Sequence, residues 1–158
     1  PGKGEVIVEN LHKLDQQADN IILRLHFSAQ ALNIHHLPDF LDWVVAQKFK
    51  KFKAMNHPES FVKVGLVHNP RHLSVQSLPT SYKDWVRQYW ETKKETRDIF
   101  NNQFDSLLDF MDAKDGSQDI VKLADYLKSL DQLRRTNRYQ VFPELLEHIL
   151  SDDLWRPS

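Results

Sequence analysis

Two short apolar runs on either side of a helical segment constrain the fold of this chain most strongly. The first run spans residues 20–27 and the second spans residues 61–67. Between them, Pro38 suits the first turn of a helix that runs to about Lys48. Because parallel strands need a crossover connection of this kind, the pattern predicts a parallel β-α-β unit.

Helical patterns fill most of the remaining chain. An apolar stripe predicts a helix over 5–17, ahead of the first run. Beyond the second run, helices are predicted over 81–113 with a break near Thr96, around 120–130 after a turn at Asp115-Gly116-Ser117, and from Pro143 onward. The chain has only four glycines, which disfavours an all-β sandwich with many tight turns. The predicted fold class is therefore α/β and helix-rich, with about two parallel strands and a C-terminal helical tail.

A parallel sheet of only two strands is physically unusual. Parallel sheets normally have more strands and are covered on both faces. With two strands, each strand keeps one unpaired edge, and unpaired edges are prone to pairing with other chains. We therefore expect either that the helical tail covers these edges or that further strands complete the sheet.

The absence of cysteine from all 158 residues excludes several kinds of chemistry. A disulfide framework, a cysteine-ligated zinc site, a thiolate-ligated iron–sulfur cluster and a cysteine nucleophile all need a sulfur that this chain does not have.

The charges of the chain are balanced, with 21 basic and 22 acidic side chains. Such a chain attracts polyanions weakly, so no strong nucleic-acid partner is predicted. The basic cluster over 48–53 is interpreted as a solvated helix end. No apolar run reaches the roughly 18 residues that a membrane span needs, and no secretory signal is visible. We therefore expect a soluble, cytoplasmic protein without a membrane contact.

Polar side chains cluster in the loops 28–36 and 68–72, which follow the two predicted strands. Because parallel strands end at the same edge of a sheet, we expect both loops to lie where ligands bind in α/β proteins. The loops hold Ser28, Gln30, Asn33, His35, His36, His68, Asn69 and His72. The four histidines, His35, His36, His68 and His72, are weak candidates for a zinc, nickel or copper site. The alternative is that these loop residues form hydrogen bonds that cap the following helix.

Other kinds of site have less support. Ser28 and Ser74 lack the Gly-x-Ser-x-Gly elbow of serine hydrolases, and the chain has no glycine-rich phosphate loop. Trp85, Tyr89 and Trp90 follow helical spacing, which favours core or interface packing over a platform for stacking bases.

Three segments taken together resemble twitch-domain radical S-adenosylmethionine (SAM) proteins. They are 31–43 (ALNIHHLPDFLDW), 66–79 (LVHNPRHLSVQSLP) and 130–137 (LDQLRRTN), the last followed by VFPEL at 141–145. The second segment has an Asn-Pro step and a Leu-Pro pair that enters a helix. The segments occur in order at similar spacings and extend the resemblance over nearly the whole chain.

The resemblance implies only the C-terminal part of such an enzyme. The fold would be a partial (β/α) barrel fragment, with barrel units in 1–79 and a helical region in 80–158 that packs on them as one structural unit. The family's N-terminal part carries a Cys-x3-Cys-x2-Cys motif that ligates a [4Fe–4S] cluster, and this sequence has no such motif. SAM and the cluster are thus implied for the full-length family, whereas this chain alone is expected to hold no cofactor and to be inactive. The resemblance implies pocket contacts to SAM or substrate for Ser28, Asn33, His68 and Asn69.

Two functions follow as expectations. In the first, the chain is the C-terminal part or a truncated relative of a radical SAM enzyme and supplies barrel wall and pocket. Its partner is then the missing N-terminal barrel portion, or a second copy that pairs through strand edges. In the second, the chain is a non-catalytic protein-binding or regulatory α/β domain, with the strand edges and the Trp85, Tyr89 and Trp90 stripe as its interface. The substrate and the pathway are left open by the sequence.

Overall fold

The computed structural model describes residues 3–17, 20–54 and 58–151. The strands are β1 (Leu25–Ala29) and β2 (Val62–Leu66). The helices are α1 (Lys3–Asp15), α2 (Leu37–Ala46), α3 (Lys50–Ala54), α4 (Pro58–Phe61), α5 (Thr80–Glu91), α6 (Lys94–Ile99), α7 (Asn101–Asp112), α8 (Ile120–Arg134), α9 (Arg138–Val141) and α10 (Pro143–Ser151). Short 3-10 turns lie at Ile34–His36, Arg71–Leu73, Val75–Ser77 and Ser117–Asp119. Within the described ranges, no helix is long and apolar enough to span a bilayer.

The two strands pair in parallel, as the sequence predicts, with Leu25 opposite Val62 and Ala29 opposite Leu66. The sheet has one packed face and one bare face. On the packed face, alternate residues of both strands belong to the hydrophobic core or contact it. They are Leu25, Phe27 and Ala29 of β1 and Val62, Val64 and Leu66 of β2. The bare face presents the exposed residues His26, Ser28, Lys63 and Gly65 to solvent.

The first strand is shorter than the sequence predicts and is displaced toward the C-terminus. The apolar run 20–27 predicts a strand that includes Ile21 and Ile22, but these side chains are 40% and 67% exposed and lie outside β1. Strand formation depends on a hydrogen-bonded neighbour, and β2 offers a partner only from Leu25 onward. The second strand, predicted over 61–67, is confirmed as Val62–Leu66.

The long helical region predicted over 81–113 is confirmed as helical, but it is divided into three helices. The first break follows α5, where the Thr92 hydroxyl donates to the Tyr89 carbonyl oxygen at 2.6 Å. The second break lies at Phe100, which has a non-helical φ of −120° and a fully buried side chain. The sequence places a single break near Thr96, which instead lies inside α6.

The basic cluster over 48–53 is not the solvated end of α2. Lys48 has a positive φ of 55°, which ends the preceding helical segment, and a new helix, α3, begins at Lys50. The buried Asp15 carboxylate accepts hydrogen bonds from the backbone N–H groups of Lys50 at 2.6 Å and Lys51 at 2.8 Å. Asp15 therefore satisfies the free amides at the start of α3 and joins this helix to α1.

Replacing Asp15 with alanine is expected to lower the free energy of unfolding by about 1 kcal/mol, because the N–H groups of Lys50 and the buried Lys51 lose this acceptor. Asp15→Asn keeps one acceptor oxygen and is expected to lose less. Urea unfolding followed by circular dichroism measures both changes. Equal stability of wild type and Asp15→Ala would show that this cap contributes nothing.

One hydrophobic core joins the parts before and after residue 79. It includes Leu41 of α2 and Val62 of β2, together with Trp90 of α5 and Phe104 of α7. Each of these four side chains is at most 1% exposed. The helical tail therefore packs on the β-α-β unit and covers the packed face of the sheet.

The turn predicted at Asp115-Gly116-Ser117 contains a close backbone approach. The Gly116 N–H donates to the Gln76 carbonyl oxygen at 2.9 Å, and a Cβ on Gly116 would lie 2.9 Å from that same oxygen. A Cβ added to Gly65, on the bare face, would have no neighbouring atom within 4 Å. The two glycines thus differ in the space available to a side chain.

Replacing Gly116 with alanine is therefore expected to lower the free energy of unfolding by about 1 kcal/mol, because the new methyl group meets backbone. Gly65→Ala is the matched control and is expected to leave stability unchanged or raise it by up to about 1 kcal/mol, since glycine weakens a strand interior. Thermal unfolding of the two variants side by side tests the difference. The opposite ranking would contradict the close contact at Gly116.

Candidate functional site

The loop after β1 is held together by the Asn33 side chain. Its Nδ2 donates to the Ser28 carbonyl oxygen at 3.1 Å, and its Oδ1 accepts from the Gln30 N–H at 2.9 Å. The Asn33 amide is therefore engaged in shaping the loop. It binds the end of the preceding strand and makes no capping bond to the helical turn that follows. The Ser28 side chain is exposed on the bare face.

The loop after β2 lies against the loop after β1, as the parallel arrangement predicts. The Val67 N–H donates to the Ala29 carbonyl oxygen at 3.0 Å, and the Ala31 N–H donates to the Leu73 carbonyl oxygen at 2.9 Å. His68 and Asn69 follow β2 directly and are both exposed. The carboxyl ends of the two strands thus form one continuous edge.

A cleft of about 260 Å³ opens beside this edge, and we call it the strand-end cleft. One wall comes from the β2 loop, with His68 and Arg71, and continues to Gln76. The other wall comes from the loop between α7 and α8. It contributes Lys114, Asp115, Gly116, Gln118 and Asp119. Gly116 brings the two walls together through its backbone bond to Gln76.

The strand-end cleft carries charges of both signs. A hydrogen bond from Lys122 at 2.8 Å is the main factor that lowers the pKa of Asp119, with smaller contributions from Arg71 and His72. A hydrogen bond from the Ser117 N–H at 3.0 Å lowers the pKa of Asp115. Both carboxyl groups are therefore ionised at neutral pH, beside the cationic Arg71 and Lys114. Such a lining suits a small polar molecule that itself carries both charges.

The four candidate histidines do not form a single cluster. His35 and His36 are adjacent, with ring centroids 3.8 Å apart. His68 packs edge-on against Phe110 at 5.0 Å, and His72 packs against Tyr126 at 5.3 Å. Among the described residues, no group of three or more His, Asp or Glu side chains has an arrangement that could hold a metal ion. Of the four, only His68 lines the strand-end cleft.

His35 occupies a structural position between the β1 loop and the helical tail. Its Nδ1 forms a 2.7 Å hydrogen bond with the Tyr82 hydroxyl of α5, and the residue is only 3% exposed. Its Nε2 lies 3.9 Å from Glu144 of α10 and has no hydrogen-bond partner in the part of the chain that is described. Burial is the main factor that lowers the pKa of His35 to about 4, so the ring is neutral at pH 7.

The aromatic stripe of α5 differs from the one that the sequence predicts. Trp85 stacks on Tyr82 at 5.3 Å and on Tyr89 at 5.6 Å, and we call these three rings the aromatic ladder. Trp90 lies in the core instead, at 1% exposure. The Tyr89 hydroxyl donates to the Asp39 carboxylate at 2.7 Å, which ties the outer end of the ladder to α2. Trp85 and Tyr89 are half-buried, so the ladder borders solvent along one side.

Four charged residues of the strand-end cleft are absent from the sequence-based site: Arg71, Lys114, Asp115 and Asp119. Arg71 lies within the loop 68–72 and could have been included, because it follows the same strand. The other three belong to a loop about 45 residues downstream in the chain. The turn at Gly116 is visible in the sequence, but its contact with Gln76 is not.

Comparisons of the chain with family models, with curated proteins and with solved structures find no match. The fold itself defines a small, helix-rich α/β protein with a two-stranded parallel sheet.

Proposed function

We propose that this chain is the C-terminal part or a truncated relative of a radical SAM enzyme. In this proposal it supplies part of the wall of a partial (β/α) barrel and part of the pocket for SAM or substrate. The observation that carries the proposal is the bare face of the parallel sheet. The sequence resemblance in 31–43, 66–79, 130–137 and 141–145 supplies the family.

The bare face suits the interior of a barrel. In a (β/α) barrel, helices cover the outer face of the strands, and the inner face looks into the lumen. Among the described residues, the helices pack on one face, and His26, Ser28, Lys63 and Gly65 are exposed on the other. If no further strands completed this parallel sheet, we would expect both of its faces to be covered.

The outer edge of β1 is the better place for further strands. Neighbours in sequence are usually neighbours in a sheet, so strands that precede β1 in the chain would pair with it. At the outer edge of β2, one carbonyl group is already engaged, because the Gln103 side chain of α7 donates to the Val62 carbonyl oxygen at 3.2 Å. Our proposal therefore has the missing barrel portion pair with β1.

The residues of this chain fit the two implied cofactors differently. The [4Fe–4S] cluster does not fit, since the chain has no thiolate, and no step through the cluster is assigned to it. The strand-end cleft suits the amino-acid part of SAM better. Arg71 and Lys114 offer charge for its carboxylate, and Asp115 and Asp119 offer charge for its ammonium group. Of the four predicted pocket residues, His68 lines this cleft and Ser28 faces the proposed lumen. Asn69 is exposed next to His68, and the Asn33 amide is engaged in its own loop.

The test is to produce the chain joined to the polypeptide encoded immediately upstream and to reconstitute it without oxygen, using iron and sulfide. On addition of SAM and dithionite, we expect 5′-deoxyadenosine from the extended protein and none from the 158-residue chain alone. An extended protein that binds no cluster and cleaves no SAM would overturn the proposal.

A substitution on the bare face sharpens this test. Gly65→Trp is expected to abolish SAM cleavage in the extended protein, because an indole would fill the lumen. It should leave unfolding of the isolated chain unchanged within about 0.5 kcal/mol, since nothing lies within 4 Å of that Cβ position. Lys128→Trp on the exposed side of α8 is the matched control and should retain activity.

The aromatic ladder supports a second candidate, a non-catalytic protein-binding domain. Half-buried tryptophan and tyrosine side chains are common at protein interfaces. This candidate predicts that the extended protein has no SAM-dependent activity and that Trp85→Ala weakens a protein complex. Retention of SAM cleavage by Trp85→Ala would favour the radical SAM proposal.

A further inference from the structure

The outer edge of β2 borders a groove of about 330 Å³, which we call the edge groove. Val64 and Leu66 of β2 form one side, and Gln103 and Leu107 of α7 form the other. Val64 and Leu66 are half-buried and Leu107 is buried, so these three side chains give the groove an apolar strip. The polar residues Asn102, Gln103 and Ser106 of α7 line it beside this strip. The exposed Lys63 stands at its rim.

The unpaired backbone groups of β2 point into this groove. The Val67 N–H donates to the Ala29 carbonyl oxygen of β1. The backbone N–H and C=O groups of the odd-numbered residues in this segment therefore point toward β1. Along a strand, successive residues point their backbone groups to opposite sides, so those of Val62, Val64 and Leu66 point away from β1. The sheet has only two strands within the described residues, and β2 therefore has no strand partner on this side.

Gln103 supplies one hydrogen bond of the kind that a neighbouring strand would make. Its Nε2 donates to the Val62 carbonyl oxygen at 3.2 Å, as a strand N–H would do. Its Oε1 is buried and has no hydrogen-bond partner among the described residues. A buried acceptor without a partner is costly, and a small shift of the Gln103 side chain, which lines the groove, would let this oxygen accept from an N–H donor there.

We propose that the edge groove binds an extended peptide segment as a third strand beside β2. The backbone of the segment pairs with Val64 and Leu66, and one of its N–H groups reaches Gln103 Oε1. Alternate side chains of the segment are apolar, to cover Leu107, and acidic, to meet Lys63. This is strand addition, in which backbone bonds supply affinity and alternate side chains supply specificity.

The proposal is independent of the radical SAM assignment, because barrel completion there uses the outer edge of β1. The probe is a blocked, fluorescently labelled peptide of alternating valine and glutamate residues, and binding is measured by anisotropy. A second peptide of the same sequence carries N-methyl groups on alternate amides, which prevents pairing on that edge. We expect the unmodified peptide to bind at least about tenfold more tightly than the methylated one, since two or more backbone bonds distinguish them.

Variants of the protein locate the binding edge. Val64→Pro removes an N–H that points into the groove and is expected to weaken binding about tenfold, because edge positions tolerate proline but lose the donor. His26→Pro makes the same change on the outer edge of β1 and serves as the matched control, with binding unchanged. Gln103→Leu removes both the unpartnered acceptor and the Nε2 hydrogen bond to the Val62 carbonyl oxygen, and it should weaken binding about threefold because the acceptor for the peptide is lost.

Three results would overturn the proposal. The first is equal affinity for the plain and the methylated peptide. The second is unchanged binding by both Val64→Pro and Gln103→Leu, with unfolding curves showing that both variants are folded. The third is a protein that sediments as a dimer and becomes monomeric on Val64→Pro, because a second copy of the chain would then occupy the edge groove.

Discussion

Replacing Trp90 with alanine is expected to lower the free energy of unfolding by about 3–5 kcal/mol, which is a large share of the stability of a domain of this size. Trp90 is only 1% exposed and packs edge-to-face on Phe104 of α7, with ring centroids 4.8 Å apart. The alanine variant removes this ring from the centre of the core that joins the β-α-β unit to the helical tail. Urea unfolding at pH 7 measures the loss.

Two variants serve as controls for Trp90→Ala. Trp90→Phe keeps most of the apolar surface and removes an indole N–H that has no hydrogen-bond partner in the described chain, so it is expected to cost much less. Trp85→Ala removes an equally large ring from the half-buried aromatic ladder and should also cost less. If Trp85→Ala proved more harmful than Trp90→Ala, the assignment of Trp90 to the core would be wrong.

Lowering the pH from 7 to 5 is expected to reduce the free energy of unfolding by about 2 kcal/mol through His35 alone. Burial first, and then the neighbouring His36, lowers the pKa of His35 from 6.5 to about 4, against smaller opposing contributions from Glu144 and Asp39. Between these two values the unfolded chain binds a proton at this residue and the folded chain does not. Stability therefore rises with pH across this window and is lost as the pH falls from about 6.5 toward 4.

The control for this pH dependence is His35→Leu, which has no titrating group. It is expected to be less stable than wild type at pH 7, because the Tyr82 hydroxyl loses its 2.7 Å partner. Its stability should nevertheless change less between pH 7 and pH 5 than that of wild type. Parallel pH profiles for the two proteins would contradict a buried, neutral His35. The lowered pKa of Asp39 does not interfere, since its contribution is lost only near and below pH 3.8.

The sequence predicts β2 and the helices α1, α2, α8 and α10 well, because their signals are local. Val62 and Val64 at alternate positions of an apolar-rich run mark β2, and apolar spacing with Pro143 places α10. It misplaces β1, because the apolar residues Ile21 and Ile22 have no opposing strand and strand pairing is a long-range property. It also treats Lys48 and Lys50 as one helix end, although the cap that starts a new helix comes from Asp15 of α1.

For the candidate site, the sequence predicts the edge where the two strand-end loops meet, since this follows from parallel pairing alone. It does not predict the second wall of the strand-end cleft. That wall depends on how the turn at Gly116 packs against Gln76, a contact between distant parts of the chain. The unpartnered Gln103 oxygen in the edge groove depends on helix packing in the same way, and no local pattern marks it.

Hydrogen–deuterium exchange at the outer edge of β1 tests most directly whether this sheet is one wall of a larger barrel. In the 158-residue chain the amides of His26 and Ser28 face away from β2, and we expect them to exchange rapidly. In the protein extended by the upstream polypeptide, our account predicts strong protection of both amides, because a further strand pairs with them. Equally rapid exchange of these two amides in the extended, folded protein would contradict it.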